Sequence, residues 1–312
     1  MANKKPVRRK KNGITDPDEK FDPKVIGKIL LFLGPFMLGV IVFTIYPFIN
    51  AFLMSFKENY SILKNTYSGW GFENYQKIFN DPNFQSALTN TLKYVAIVVP
   101  TTLVLSIIIA VLLNDTKHFK ALLQTAYFLP LVTSTAAISL VFRFVFANEG
   151  GLINKIIIEL GGSQINFMGT NKWSEIVLYI FGIWNMMPFT IILLLSGLQN
   201  IDPQYAVAAK VDGAKGLDIF FNITVPLLAP TIAIVAIVDS ISSFKVFDYV
   251  FQLFNNPGPG YNLYTLIYYV YKNFGGNKPK YGYAAAAAII LFCIIAVFTL
   301  LQRIIQKKTS YE

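Results

Sequence analysis

Charge is scarce in this chain. Only 14% of its 312 residues are Asp, Glu, Lys or Arg, whereas 54% are hydrophobic. A water-facing domain carries roughly 25% charged residues, so a soluble globule is excluded. Cysteine and histidine occur once each, as Cys293 in an apolar run and His118 beside Lys117. A lone cysteine rules out a disulfide framework. One His and one Cys far apart cannot build a Cys/His metal site or nucleophile pair. Cys293 reads as a small core or lipid-facing residue. A Gly-x4-Gly-Lys-[Ser/Thr] phosphate loop is also missing, so any ATP must be handled by another chain.

Long apolar runs are plentiful. A spanning helix needs ~20 mostly apolar residues, and six runs qualify, at about residues 29–52, 92–113, 122–146, 176–198, 227–250 and 284–305. The expectation is an all-α polytopic membrane protein with six transmembrane helices. Its parts are a basic tail (1–28), a spanning domain (29–305) containing a polar loop at 199–226, and a short tail (306–312). The first run is longer than a cleavable signal's apolar region and lacks a small-residue cleavage site, so it is expected to stay. With six spans, both tails share one side. That side collects sixteen Lys and Arg in its tails and loops, against eight in the opposite loops, which predicts cytoplasmic tails. The net charge of +10 is concentrated in Lys4, Lys5, Arg8, Arg9, Lys10 and Lys11, with no aromatic residue among them. That pattern fits an orienting tail rather than a nucleic-acid arm. Trp70, Phe72 and Tyr75, in the connection 53–91, fit an aromatic belt at the interface.

The loop between the fourth and fifth runs has clear local chemistry. Asp202 can cap a helix N-terminus and Pro203 suits its first position. Gly213 can end that helix in a left-handed conformation. Leu217, Phe220, Phe221 and Val225 then recur at helical spacing, with Asp218 opposite, and Pro226 is expected to break the chain before the fifth span. The prediction is a short helix, a sharp turn and a second short helix. Ala208 and Ala209 would allow another surface to approach closely. From the residues alone, the pair is either a docking element or a simple connector.

The same loop reads Val207-Ala208-Ala209, three residues, Gly213, nine residues, then Ile223-Thr224-Val225-Pro226. This resembles the "EAA" loop of ABC importer permeases (Glu-Ala-Ala, three residues, Gly, nine residues, Ile-x-Leu-Pro). Val207 stands where that family usually has Glu. Further fragments resemble the carbohydrate branch, the permeases of maltose and glycerol-3-phosphate type. They are Gly71 to Tyr75, Thr89-Asn90-Thr91, Gly151 to Asn154, Asn255 to Pro259, and Tyr283 with Ala284 to Ala288.

The resemblance implies a type I importer fold and a coupling surface at Val207, Ala208, Ala209, Asp212, Gly213, Ile223 and Pro226. It implies a multi-pass protein of the bacterial plasma membrane that is a transport subunit, not an enzyme. Its partners would be a second related permease, a dimeric ABC ATPase and an extracellular solute-binding protein, with a sugar or oligosaccharide as solute. No cofactor is implied for this chain, since ATP and Mg would sit on the ATPase.

Polar groups inside spans are costly and default to functional candidates. The fifth run carries Asp239, Ser240, Ser242, Ser243, Lys245 and Asp248, and the fourth carries Trp184 and Asn185. The resemblance implies a mid-membrane solute path including Asp239, Ser240, Ser243, Phe244, Lys245, Trp184 and Asn185. Structural roles are open for the same residues. Lys245, Asp248 and Arg143 can snorkel to water, the serines can pack helices, and Asp239 can pair with a partner permease. The competing function is an autonomous ion-coupled carrier with Asp239 as its proton site, for which a broken helix in each half would be the mark.

Overall fold

The computed structural model describes residues 23–62, 64–115, 129–275 and 279–309, with Thr125 and Tyr127. Lys4 to Lys11, Lys117, His118 and Lys120 lie outside the described residues. The chain divides into two compact units, residues 1–51 and 52–312.

The first unit holds helix α1 (Pro23–Val40), a π segment (Ile41–Ile45) and most of α2 (Tyr46–Ser55). In the π segment the Tyr46 N–H reaches Ile41 O, one residue further back than in an α-helix. Pro47 follows directly, and a proline lacks its own N–H and crowds the carbonyl four residues back. The wider turn absorbs that conflict without ending the helix.

The second unit opens with a small hairpin, β1 (Lys57–Glu58) paired antiparallel with β2 (Gly69–Trp70). Then come α3 (Glu73–Phe79), α4 (Pro82–Asp115), α5 (Thr135–Val145), α6 (Leu152–Glu159) and α7 (Asn171–Gln199). Next are α8 (Pro203–Val211), α9 (Gly216–Ile219), a π segment (Phe220–Thr224) and α10 (Val225–Phe244). The chain ends with α11 (Asp248–Phe254), a 3-10 turn (Pro259–Tyr261), α12 (Leu266–Gly275) and α13 (Tyr281–Thr309).

Five described helices are long and apolar enough to cross a bilayer: Ile29–Ser55, Pro82–Asn114, Asn171–Gln199, Gly216–Phe244 and Tyr281–Lys307. Two expected spans are not continuous. The third run is interrupted at Thr133–Ser134, where Ser134 is extended (φ −59°, ψ 128°) and α5 starts afresh. The Thr133 hydroxyl donates to Leu129 O at 2.7 Å, beside the Thr133 N–H at 3.1 Å on the same carbonyl, so one residue bonds that carbonyl twice at the end of the preceding turn. The fifth run was expected to reach residue 250, but its helix stops at Phe244 and Phe247 is non-helical (φ −148°). There Val246 N–H bonds to Ser243 O at 3.2 Å, and Val246 O accepts from the Thr265 hydroxyl at 2.8 Å.

Close packing rests on small residues. Gly182 on α7 faces the buried hydroxyl of Tyr94 on α4, and Gly197 faces Leu228 and Thr231 on α10. Any side chain there would collide. Ala284, Ala285, Ala286 and Ala287 at the start of α13 are all buried. Small residues let membrane helices approach closely enough for dispersion to hold them.

The connections at the end opposite α8 are pinned by asparagines. Asn74 donates to Ser55 O (2.9 Å) and Lys57 O (3.0 Å). Asn90 donates to Tyr261 O and Tyr264 O, both at 3.2 Å. Asn154 donates to Ala147 O, Asn148 O and Ile165 O, and accepts from Ile165 N–H at 2.9 Å. These three residues belong to the fragments that resemble the carbohydrate branch, and each bonds backbone groups in or beside the connections. Asn154→Leu strands those groups and should lower stability by ~3 kcal/mol, read as a fall in the Tm of the purified protein.

Asp81, just before α4, accepts from the hydroxyls of Tyr269 (2.7 Å) and Tyr283 (3.2 Å) and from Asn83 N–H (2.9 Å). Burial pushes its carboxyl up, but these hydrogen bonds outweigh burial and hold its pKa below the usual carboxylate value. A depressed folded pKa contributes stability above the unfolded value, about 3.9, and that contribution is lost as pH falls through the folded value. The Tm should therefore drop between pH 5 and pH 3, and Asp81→Asn should flatten that drop.

Candidate functional site

The hairpin formed by α8 and α9 is set by two capping arrangements. The Asp202 side chain accepts from Gln204 N–H at 2.9 Å, and Pro203 occupies the first helical position. At the other end Gly213 has φ +89°. Its N–H bonds to Lys210 O (3.1 Å), and Ala214 N–H bonds to Ala209 O (2.9 Å). Together these form a Schellman turn, which needs the left-handed residue. Lys215 then starts α9, its N–H donating to Asp218 at 3.0 Å.

No residue of α8 is buried. Tyr205, Val207 and Val211 are exposed, Val211 to 82%, and Leu217 and Phe221 extend the apolar face. Ala208, Asp212 and Pro226 are exposed, whereas Ala209 and Ile223 are half-buried. A cavity of about 480 Å³ lies between the hairpin and the nearby ends of α4 and α7, lined by residues that include Val111, Leu198, Tyr205, Val207, Lys210 and Ile223. The structure corrects one expectation. Pro226 does not break the chain, because helix runs on from Gly216 to Phe244. Val225 N–H reaches Phe220 O through the π segment, the device also found before Pro47.

The polar residues of the fourth and fifth runs fall into two groups. Asp239, Ser240, Ser243 and Phe244 face other helices of the same chain. Asp239 is 2% exposed and accepts from the Thr190 hydroxyl at 2.9 Å. Ser240 accepts from Gln302 on α13 at 3.0 Å. The Ser243 hydroxyl meets Met186 Sδ at 3.5 Å, and the Phe244 ring lies edge-on to Phe298 at 5.2 Å.

Trp184, Asn185 and Lys245 gather instead around the broken spans. Trp184 is 37% exposed and borders a cavity of about 280 Å³, together with Leu129, Pro130, Thr133, Ile138 and Pro188 at the first break. Asn185 accepts from the Tyr249 hydroxyl at 2.7 Å, and Tyr249 packs on Phe181 at 5.1 Å. Thus α11, which follows the second break, lies against the middle of α7. The Ser139 hydroxyl on α5 meets Gln252 on α11 at 3.3 Å, joining the segments that follow the two breaks. Lys245, Ser242 and Asp248 are exposed at the second break. Sequence reasoning did not identify Thr190, Tyr249 or Gln302. Thr190 was detectable only as a polar residue within an otherwise apolar run.

Residues 83–311 match the family described as binding-protein-dependent transport system inner membrane component. The chain is 34% identical over 273 residues to an arabinooligosaccharides transport system permease protein of Bacillus subtilis, covering 87% of this chain and 86% of that one. It is 30% identical to a lactose transport system permease protein of Rhizobium radiobacter, covering 87% and 91%. It is 32% identical to a multiple sugar-binding transport system permease protein of Streptococcus mutans, covering 86% and 91%. Its fold matches a chain of a bacterial ABC transporter for import of the acidic polysaccharide alginate, with TM-score 0.81 at 22% identity over 91% of this chain and 96% of that one.

If the Asp239–Thr190 bond holds α10 to α7, Thr190→Val should cost about 1 kcal/mol. Thermal unfolding of the purified variant checks this, and an unchanged Tm would remove the bond from the account.

Proposed function

The chain belongs to the family of binding-protein-dependent transport system inner membrane components, and we propose that it is the permease through which an ATP-driven importer moves a sugar or oligosaccharide. The solute class rests on relatives whose names specify arabinooligosaccharides, lactose and multiple sugars. A solved alginate transporter of this fold is described as a complex with a pentasaccharide-bound periplasmic protein, which supports an extracellular solute-binding protein as partner here. A second related permease and two ATPase subunits, which carry ATP and Mg, complete the machine.

The observation that carries the coupling assignment is the hairpin: no residue of α8 is fully buried, yet its ends are fixed by Asp202 and Gly213. A rigid, apolar, unpartnered surface is suited to seat in a cleft of an ATPase. With Val207 at the usual Glu position, the contact there is made by apolar packing rather than an ion pair. The excess of Lys and Arg in the N-terminal tail and in the even-numbered connections supports a cytoplasmic side for this hairpin, in the plasma membrane of a bacterium.

Solute passes where the two spans are broken. Irregular backbone at membrane depth is tolerated only when buried in protein or lining a wet cavity. The aromatic face of Trp184 offers a stacking surface, and Asn185, Tyr249 and Lys245 offer polar contacts. Asp239, Ser240, Ser243 and Phe244 keep the helices around that path in register. Broken spans also occur in ion-coupled carriers, but the unpartnered hairpin and the family favour a separate ATPase as the engine.

The test is reconstitution of this chain with its ATPase, second permease and binding protein. Gly213→Val places a β-branched residue at φ +89° and should abolish solute-stimulated uptake while membrane insertion persists. Trp184→Ala should slow uptake about tenfold without loss of complex assembly. Normal coupling in Gly213→Val, or full uptake by this chain alone, would overturn the assignment.

A further inference from the structure

At the end of the second unit opposite α8, the β1–β2 hairpin, α3 and the foot of α13 enclose a half-open polar cavity of about 420 Å³. Its walls include Asn59, Tyr60, Asn74, Lys77, Lys280 and Tyr283. We propose that this cavity is a carbohydrate-binding subsite that holds one end of an oligosaccharide near the mouth of the permease, apart from the broken spans. The inference rests on the sugar-import reading and on the orientation adopted above, which turns this end outward.

The wall chemistry selects the ligand. Sugars present hydroxyl rims and apolar C–H faces, so a site for them combines planar amides and ammonium groups with aromatic rings. Two amides, two phenols and two ammonium groups line this one cavity. It is not a strong anion site. Lys77 is already paired with Glu73 at 2.6 Å, which leaves Lys280 as the one wall ammonium without a carboxylate partner among the described residues. Asn74 is only 7% exposed, and its amide nitrogen donates to the carbonyls of Ser55 and Lys57. Its carbonyl oxygen accepts nothing from the described residues, so an acceptor on a largely buried residue borders the cavity ready for a ligand hydroxyl.

The walls are also preorganised. Lys57 Nζ sits over the rings of Tyr60, Tyr67 and Trp70 at 4.9, 5.2 and 5.7 Å, which fixes the hairpin through cation–π attraction. Asn59 holds φ +49° and donates to Ser68 Oγ at 3.0 Å across the hairpin. A Cβ on Gly282 would lie 2.7 Å from Lys57 O and 3.0 Å from Asn74 Nδ2, so the absence of a side chain lets α13 close the cavity floor. Tyr283 is anchored through its hydroxyl to Asp81 at 3.2 Å. Little conformational freedom then remains to be lost on binding.

The test uses the assembled transporter in phospholipid nanodiscs cleared of glycoside detergent. Saturation-transfer NMR is recorded with lactose, arabinotriose and maltotriose as probes, without the solute-binding protein. The wild type should transfer magnetisation to at least one probe. In a Trp184→Ala background, which removes the stacking surface of the solute path, the double variant Asn59→Gly, Tyr60→Ala keeps the left-handed backbone at residue 59 and should weaken the remaining binding about tenfold. Absence of transfer in the wild type, or persistence in the double variant at an unchanged Tm, overturns the subsite. ATP-driven uptake of the same probes is measured in parallel with the binding protein added. Uptake without the NMR signal defeats the subsite alone, whereas absence of uptake of every sugar defeats the import reading.

Discussion

A backbone amide in a bilayer has no water to bond, so every departure from regular helix must find a partner within the protein. The folds of this chain follow that constraint. Pro47 and Pro226 would each end a helix in water, yet each is preceded by a five-residue π segment, and the chain stays helical. Where helices do break, side-chain hydroxyls brace the backbone: Thr133 adds a second bond to Leu129 O and Thr265 serves Val246 O. At the ends of the spans, the asparagines Asn74, Asn90 and Asn154 bond backbone groups of the connections.

The two ends of the second unit consequently differ in kind. One end is stitched together by side chains: Asp81 collects two phenols, and the asparagines tie the connections to α3, α4 and α6. The other end carries a hairpin whose backbone is self-sufficient, through the Asp202 cap and the Gly213 turn, and whose apolar side chains at Tyr205, Val207, Val211 and Leu217 are exposed. An element that is satisfied internally and exposed outwardly can act as a lever, because it transmits a push without unfolding. The broken spans lie between these ends, where a solute path needs both irregular backbone and polar contacts.

Much of this was legible in the sequence, because hydropathy and capping are local. The apolar runs, the Asp202–Pro203 start and the Gly213 stop required only neighbouring residues. The hidden features were long-range. The break after Phe244 depends on Thr265, about twenty residues away. Asp239 reads as an exceptional mid-membrane charge until Thr190, 49 residues distant, is seen to bond it. Pro226 was expected to break the chain because a π segment has no sequence signature as plain as that of a proline. Ser240, Ser243 and Phe244 carried the right polarity and spacing for a path, but only packing against α13 and α7 reveals which way they face.

The central claim is that the hairpin between α7 and α10 is the seat of a separate ATPase. Amide hydrogen exchange over residues 203–213, with and without the ATPase subunits, addresses it most directly. The account predicts strong protection of this segment on assembly, with the asparagine-pinned loops at the opposite end unchanged. Equal exchange at 203–213 in the free and assembled permease would contradict it.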